Sequence, residues 1–329
     1  MTRQKIRALC LSGGGAKGAA EVGVIDYLLE QNPNLEYDIY AGVSVGALNS
    51  ALLAEAPLKE ALPKLKNIWL NQVKGNSSVW HHHLWDHILI CIIVILAFSL
   101  LALGTFLLSM PKWITIVFFL MAVASFYLPY MALNNTHSIY KNDPLRHLIT
   151  SNLDLEKLKA SPKKLVVGTV SFTTGEYKSI REVDDEIINW IMASSAFPIF
   201  FPMSLIDGEY WADGGIVNTA PLVDVLEMGA TEVDVIITSP LNAGTFTGTT
   251  GLIKQLMRNI DIMSSKILQD DIVVKTSIYG GVKIRFFIFE KQLASNSLDF
   301  TPSKLKNMFE EGRKLAEKVL NETNNAINI

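Results

Sequence analysis

The chain is predicted to be an α/β protein, and three observations carry that expectation. Strand-like runs lead into glycine-rich turns and then helix-like stretches, first over Ile6–Gly18 and again over Tyr37–Ala54. Further strand-like runs follow at Leu165–Val170, Val233–Thr238 and Lys283–Phe289. The 329 residues, less one long apolar insertion, leave about 260 for a single core.

The first turn is Ser12-Gly13-Gly14-Gly15-Ala16-Lys17-Gly18, after the buried-strand pattern Ile6–Leu11. Ala20, Val24, Leu28 and Leu29 then recur near one face of a helix. Glycines at a helix N-terminus leave backbone N–H groups unshielded and aimed at whatever binds there. A phosphate loop needs Lys-Ser or Lys-Thr after its last glycine, whereas Gly18 precedes Ala19-Ala20. The glycine spacing also fails a dinucleotide fingerprint. An oxyanion hole or a plain tight turn remains.

The second turn is Gly42-Val43-Ser44-Val45-Gly46, between Tyr37–Ala41 and the helix-like Ala47–Ala54. A serine on a strand-to-helix turn presents its hydroxyl at the top of a sheet, and flanking glycines leave room for backbone and substrate. Ser44 is therefore the candidate nucleophile. All six histidines lie between His81 and His147, none in the C-terminal half where an α/β-hydrolase places its base. Adjacent histidines point in different directions, so His81-His82-His83 reads as a solvated or interfacial run, and no metal site is expected.

A carboxylate is the better candidate base. Asp213 follows the strand-like Glu209–Ala212 and precedes Gly214-Gly215. With an ordinary pKa of about 3.9, it serves only if pressed against the serine hydroxyl and raised by partial burial. Asp207-Gly208, between Leu205-Ile206 and Glu209-Tyr210-Trp211, reads instead as a hairpin turn.

Gly13-Gly14-Gly15-Ala16-Lys17-Gly18, Gly42-Val43-Ser44-Val45-Gly46 and Asp213-Gly214-Gly215, in this order and spacing, resemble the patatin-like phospholipase family. Ala193–Pro202 (ASSAFPIFFP) is similar to the family's helix-to-loop segment before its aspartate. The resemblance spans about residues 5–75 and 140–290. It implies a three-layer α/β/α sandwich with a mostly parallel sheet. It also implies a Ser44–Asp213 dyad that hydrolyses lipid acyl esters, with no cofactor or metal. Gly13, Gly14 and Gly15 would supply the oxyanion hole and Lys17 positive potential, with Gly18, Gly42, Gly46, Gly214 and Gly215 supporting. Lys17 departs from the family's more frequent arginine, and a lysine lacks the planar fork for bidentate contacts.

The insertion is the other departure. Ile88–Leu108 holds no charged residue, and Trp113–Leu133 is nearly as apolar; each is 21 residues. A helix of that length runs about 31 Å, close to the roughly 30 Å hydrocarbon thickness of a bilayer. Fifteen residues of the first segment are Leu, Ile, Val or Phe, while Trp113, Tyr127 and Tyr130 suit an interfacial belt around the second. Only Ser109–Lys112 separates them, so a transmembrane hairpin is expected, with a one-leaflet dip or a buried helical pair as rivals. The chain divides as 1–75 and 143–329 for the catalytic domain and 76–142 for the insert.

Ser44 precedes the hairpin and Asp213 follows it, which puts both halves of the domain on one side of a membrane. No signal peptide precedes the first strand, and Lys74, Lys141 and Arg146 flank the hairpin against Lys112 at its turn, so that side is expected to be cytoplasmic. Cys10 and Cys91 do not suggest a disulfide. A net charge of −3 without a basic-aromatic tract argues against nucleic acid. Leu305, Met308, Phe309, Leu315, Ala316 and Val319 mark a final helix packed on the core. The Gly/Thr-rich Gly244–Gly251 and the apolar run after it read either as a lid or as adaptable core.

The function expected is a membrane-anchored serine acyl hydrolase acting on phospholipids or related lipids of the bilayer. An acyltransferase sharing the acyl-enzyme, or a non-catalytic membrane scaffold of the same fold, are the alternatives. Oligomeric state is not legible.

Overall fold

The computed structural model describes residues 5–242 and 281–327 apart from 295, together with 251, 255, 258–260, 262–267 and 269. Residues Gly244–Thr250 and much of the apolar run after them, where a lid is expected, lie outside the described residues. By its internal contacts the chain forms two units. One comprises 1–79, 143–197 and 203–329, the other 80–142 and 198–202.

The first unit is built on an eight-stranded sheet. Its strands are β1 (Arg7–Leu11), β2 (Ile39–Val43), β5 (Lys164–Ser171), β6 (Tyr177–Ile180), β7 (Ser204–Ile206), β8 (Glu209–Asp213), β9 (Glu232–Ile237) and β10 (Lys283–Ile288). The order is β10-β9-β1-β2-β5-β8-β7, with β6 also pairing β5. Pairs from β10 through β5 are parallel, and β6, β7 and β8 join antiparallel. Parallel strands buried on both faces require near-continuous apolar sequence. That is why Ala8–Leu11 and Leu165–Val167 carry no polar side chain and are buried throughout.

Helices cover both faces. Ala8 and Cys10 of β1, Ile39 and Ala41 of β2, Val166 of β5 and Val233 and Val235 of β9 pack with Leu222, Val225 and Leu226 of the helix Leu222–Glu227. The alternate residues, Leu9 and Leu11 among them, are equally buried on the opposite face. There lie α1 (Gly18–Gln31), which follows β1, and α2 (Val45–Ala54), which follows β2. The α/β expectation and the placement of the main strands hold. The Asp207-Gly208 turn also sits where expected, both residues at positive φ, closing the β7–β8 hairpin.

The final helix, Pro302–Ile327, lies along α1. Its Leu305, Met308, Phe309 and Ala316 are buried, as their spacing predicts, while Leu315 and Val319 are half-buried. The two helices approach so closely that a Cβ on Gly23 would collide with the Phe309 carbonyl, and one on Gly312 with the Ala20 carbonyl. Lys66 and Arg313 both pair with Asp26 beside this contact.

In the second unit, short strands β3 (His81–His82) and β4 (Tyr140–Lys141) pair antiparallel at the base of an inserted helical hairpin. The hairpin comprises α4 (Leu84–Leu107), α5 (Lys112–Ser125) and α6 (Leu128–Asn135). The second apolar stretch is therefore not one unbroken helix. It turns at Phe126-Tyr127 and restarts with Pro129 in the first turn of α6, where a missing N–H does no harm. Leu89, Ile93, Leu96, Leu100, Leu103 and Leu107 form an exposed stripe along α4, and Trp113, Phe119 and Phe126 are exposed on the other arm. Ser99, Thr105, Ser125 and Thr136 each donate their hydroxyl to a carbonyl of their own helix three or four residues back. Both spans are long and apolar enough to cross a membrane by length and composition, and mostly exposed. Among the described residues, none of the histidines joins a three-ligand metal cluster, and neither Cys10 nor Cys91 is in a disulfide.

Replacing Gly312 with Ala should lower stability by about 2 kcal/mol or more, because backbone cannot retreat as a flexible side chain can. The check is the denaturation midpoint of Gly312→Ala against Gly251→Ala, where a Cβ meets open space.

Candidate active site

Ser44 and Asp213 are 169 positions apart in sequence, and β5 brings them together. Val43 at the end of β2 pairs with Gly168, and Asp213 at the end of β8 pairs with Thr169 on the same strand. Ser44 then sits at φ 55°, ψ −131°, between β2 and α2. A positive φ is a strained conformation for serine, and its result is a side chain lifted clear of both elements. Gly42 closes so tightly on Gly46 that a Cβ there would strike the Gly46 carbonyl. Gly46 in turn packs against the Leu11 and Ser12 carbonyls of the first turn. The elbow and the glycine loop are thereby pressed together.

The Ser44 hydroxyl donates to the Asp213 carboxylate, whose Oδ1 also accepts the Gly215 N–H at 2.8 Å. Asp213 is only 2% exposed, so its burial is complete where the sequence reading expected it to be partial. Burial penalises the charged carboxylate and pushes its pKa up to about 7, against the opposing pull of the Ser44 and Gly215 bonds. Gly214 lies against the Gly168 carbonyl with no space for a side chain.

The glycine loop borders Ser44. A Cβ on Gly13 would come 2.9 Å from that of Ser44. Gly15 takes φ +57° with the Ser297 carbonyl where a side chain would go, so only glycine fits there. The Gly13 carbonyl accepts from Thr238 Oγ1 at 2.6 Å. A trans peptide then turns the Gly14 N–H the opposite way. Among the described residues, no acceptor takes the N–H of Gly13, Gly14 or Gly15, whereas Ser12, Ala16 and Lys17 donate theirs to Ile236, Ser297 and Gly14. Lys17 is buried, its Nζ 3.4 Å from Ser239 Oγ. Gly18 opens α1 against Val45 and Trp69.

Several residues here have no role legible in the sequence, even Ser194 within the Ala193–Pro202 segment, because tertiary structure alone recruits them. Thr238 and Ser12 bond one another and hold the glycine loop. Ser194 accepts the Ser44 N–H at 2.9 Å and donates to the Gly168 carbonyl at 2.7 Å. Glu21 on α1 is fully buried and accepts from Asn49 Nδ2 at 2.8 Å, and Asn49 Oδ1 accepts from Trp69 Nε1 at 2.9 Å. Burial holds the Glu21 carboxyl well above the usual range, and its bond to Asn49 bridges α1 and α2.

Residues 9–226, more than half of the chain, match the family profile described as Patatin-like phospholipase. Two Caenorhabditis elegans proteins are similar over short stretches. The patatin-like phospholipase domain-containing protein ZK370.4 is 42% identical over 72 residues, 22% of this chain and 5% of that protein. The putative patatin-like phospholipase domain-containing protein M110.7 is 32% identical over 68 residues, 21% of this chain and 6% of that protein. The matched stretch is thus a small part of either relative. Among solved structures, VipD from Legionella pneumophila aligns at TM-score 0.43 and 16% identity, covering 97% of this chain and 67% of that one. The type III effector ExoU aligns at TM-score 0.37 and 16% identity, covering 97% and 53%. The profile match spans both glycine turns and the Asp213 strand on a mostly parallel α/β sheet, and the chain belongs to the patatin-like phospholipase family.

Proposed function

We propose that this chain is a membrane-anchored serine hydrolase of lipid acyl esters, working through the Ser44–Asp213 dyad. The observation that carries the reading is the Ser44 hydroxyl bonded to a buried carboxylate whose pKa is pushed up to about 7, beside a glycine loop. A base with a pKa near the working pH takes a proton well and returns it well. Ser44 Oγ attacks the ester carbonyl carbon as its proton passes to Asp213. The oxyanion collects in front of the Gly13–Gly15 amides, whose donors are preorganised and cost no rearrangement. Asp213 then gives its proton to the departing alcohol, leaving an acyl-Ser44. A water that loses its proton to Asp213 hydrolyses that ester and restores the serine.

The apolar hairpin supports the membrane half of the reading. Its exposed leucine stripe would be costly in water, and its hydroxyls are already satisfied within their helices, as a lipid surround demands. Two crossings return the chain to one face, the cytoplasmic one by the flanking lysines and arginine. An anchored enzyme meets lipid substrate in two dimensions rather than three.

The first test is fatty-acid release from mixed phospholipid vesicles by the detergent-purified chain. Ser44→Ala should lose a thousandfold or more, on the order seen when a serine hydrolase loses its nucleophile. Equal release from both proteins would refute the dyad. Transfer of acyl groups to added lysolipid or glycerol in place of release would move the assignment to a transacylase. Replacing the hairpin with a short linker should reduce activity on vesicles far more than on micellar esters, and equal losses would refute anchoring.

Asp213 also fixes two pH dependences. Ester cleavage should rise as pH passes upward through about 7, where the carboxyl loses its proton. The folded state holds that proton up to about 7 while the unfolded chain releases it near the ordinary carboxylate value. Stability at this group therefore falls as pH rises across that window. Asp213→Asn should abolish hydrolysis yet raise the melting midpoint at pH 8, with the gain vanishing near pH 4. Thermal scans at both pH values decide it.

A further inference from the structure

Consecutive glycines supply no rigidity of their own, so a loop such as Gly13–Gly15 keeps one shape only if its peptides are bonded from outside. A peptide is planar, and a bond to either of its polar groups orients the other. The Gly13 carbonyl accepts from Thr238 Oγ1 at 2.6 Å, and the Gly14 carbonyl accepts the Lys17 N–H at 3.2 Å. The next peptide is held from far along the chain, where the Ser297 carbonyl accepts the Ala16 N–H at 2.8 Å. The same carbonyl fills the place of a side chain on Gly15. Gly15 is thereby fixed on both sides.

Ser297 is itself presented by a turn just before the final helix. Asn296 Oδ1 accepts the Leu298 N–H at 2.9 Å, and the Asn296 carbonyl accepts the Asp299 N–H at 3.2 Å. Phe300, buried, closes the segment. Its N–H donates to Asn76 Oδ1 at 2.8 Å, and its ring stacks on Trp69 with centroids 6.4 Å apart and planes 20° from parallel. Trp69 lies over Gly18, where a Cβ would come 2.8 Å from the indole ring, and its Nε1 donates to Asn49. Ser297 thus holds the loop at Gly15, and Phe300 holds it through Trp69 at Gly18. These contacts all lie inside the first unit, and residues 297–300 stand beyond residue 226, where the family profile ends. The dyad has other holders. Ser194 Oγ accepts the Ser44 N–H, and the Ala196 carbonyl accepts the Asp213 N–H at 3.1 Å.

We propose, on the reading of Ser44 as nucleophile and the Gly13–Gly15 amides as oxyanion donors, that Ser297–Phe300 is a clasp that aims those amides. Its members are positioning residues, acting through the backbone of the loop. Donors stabilise a developing charge strongly only when they need not reorganise to meet it. A segment outside the family profile therefore sets the electrostatic half of catalysis, while the dyad is set elsewhere.

The test uses the detergent-purified full chain and a soluble short-chain aryl ester, with kcat, KM and the pH profile measured well below each variant's own melting midpoint. Asn296 is exposed, so Asn296→Ala loosens the turn that presents the Ser297 carbonyl without opening the core. It should lower kcat about tenfold or more with KM close to wild type, because a misaimed donor is missed chiefly in the transition state. Asn296→Asp keeps an acceptor for the Leu298 N–H and should restore the wild-type kcat. Phe300→Ala should lower kcat as Asn296→Ala does. Affinity for a trifluoromethyl ketone should fall in parallel. Ser44 Oγ bonds to the ketone carbon, its proton passes to Asp213, and the carbonyl electron pair moves to the oxygen that faces the loop. The acid limb set by Asp213 should stay in place, since Ser194 and Ala196 still hold the dyad.

Lost turnover with weaker ketone binding and an unmoved limb supports the clasp, whereas a merely structural role moves the midpoint alone. Wild-type kcat in both alanine variants would overturn the clasp and leave the dyad standing. So would a displaced acid limb, or a loss that Asn296→Asp shares. Cleavage by the wild type no faster than by Ser44→Ala would overturn the catalytic reading, and the clasp with it.

Discussion

The catalytic reading of this chain depends on one hydrogen bond, from a serine hydroxyl to an aspartate carboxylate kept out of water. An aspartate in solvent is too weak a base to draw a proton from serine, and burial is a remedy that needs no further side chain. That remedy is hard to hold in place. A buried carboxylate destabilises the folded state whenever it is charged, so it survives only with firm partners. Here the partners are the Ser44 hydroxyl and the Gly215 amide, and strand β5 is the ruler that sets both.

The glycines follow from the same constraint. Bringing the loop after β1 against the elbow after β2 leaves no volume for side chains, because carbonyl oxygens or the Ser44 side chain fill those places. Gly13 meets Ser44, Gly46 meets Leu11 and Ser12, and Gly214 meets Gly168. The Gly46 and Gly214 contacts are backbone on backbone, so neither can yield by a rotamer change. The cluster is rigid for that reason, and a rigid cluster suits donors that must face a developing charge without reorganising. The buried Glu21–Asn49–Trp69 bridge extends the rigidity from the turns into the helices behind them.

The inserted hairpin obeys different physics. Its helices present leucine and aromatic side chains outward and keep hydroxyls on their own carbonyls, the reverse of a water-facing helix. Local chemistry places its breaks. Ser109 takes a positive φ in the turn between arms, and Pro129 ends one helix and begins the next. At its base, aromatic rings and strand bonds close the two feet into a small sheet that also holds Ile199 and Phe200.

Much of this was legible beforehand. Strands β1, β2 and β5 announced themselves because a parallel strand buried on both faces must be largely apolar, while β9 and β10 showed as apolar runs broken by Asp234 and Arg285, which pair with one another. Ser44 and the Gly13–Gly15 run were visible because turn chemistry is local, and a glycine between a strand and a helix has few other uses. The length of the hairpin arms was readable from composition alone, although the break at Phe126-Tyr127 was not, since apolar side chains there conceal a lapse in backbone bonding. Asp213 could be preferred over Asp207 from neighbouring residues, but the depth of its burial could not. Thr238 and Glu21 gave no local signal at all, and Ser194 and Ala196 showed only as members of the Ala193–Pro202 segment, with no role attached. A serine or threonine in an apolar run looks like any other, and a carbonyl oxygen looks like every other carbonyl. What makes them part of the site is which atom of a distant strand lies opposite, and only the folded sheet decides that.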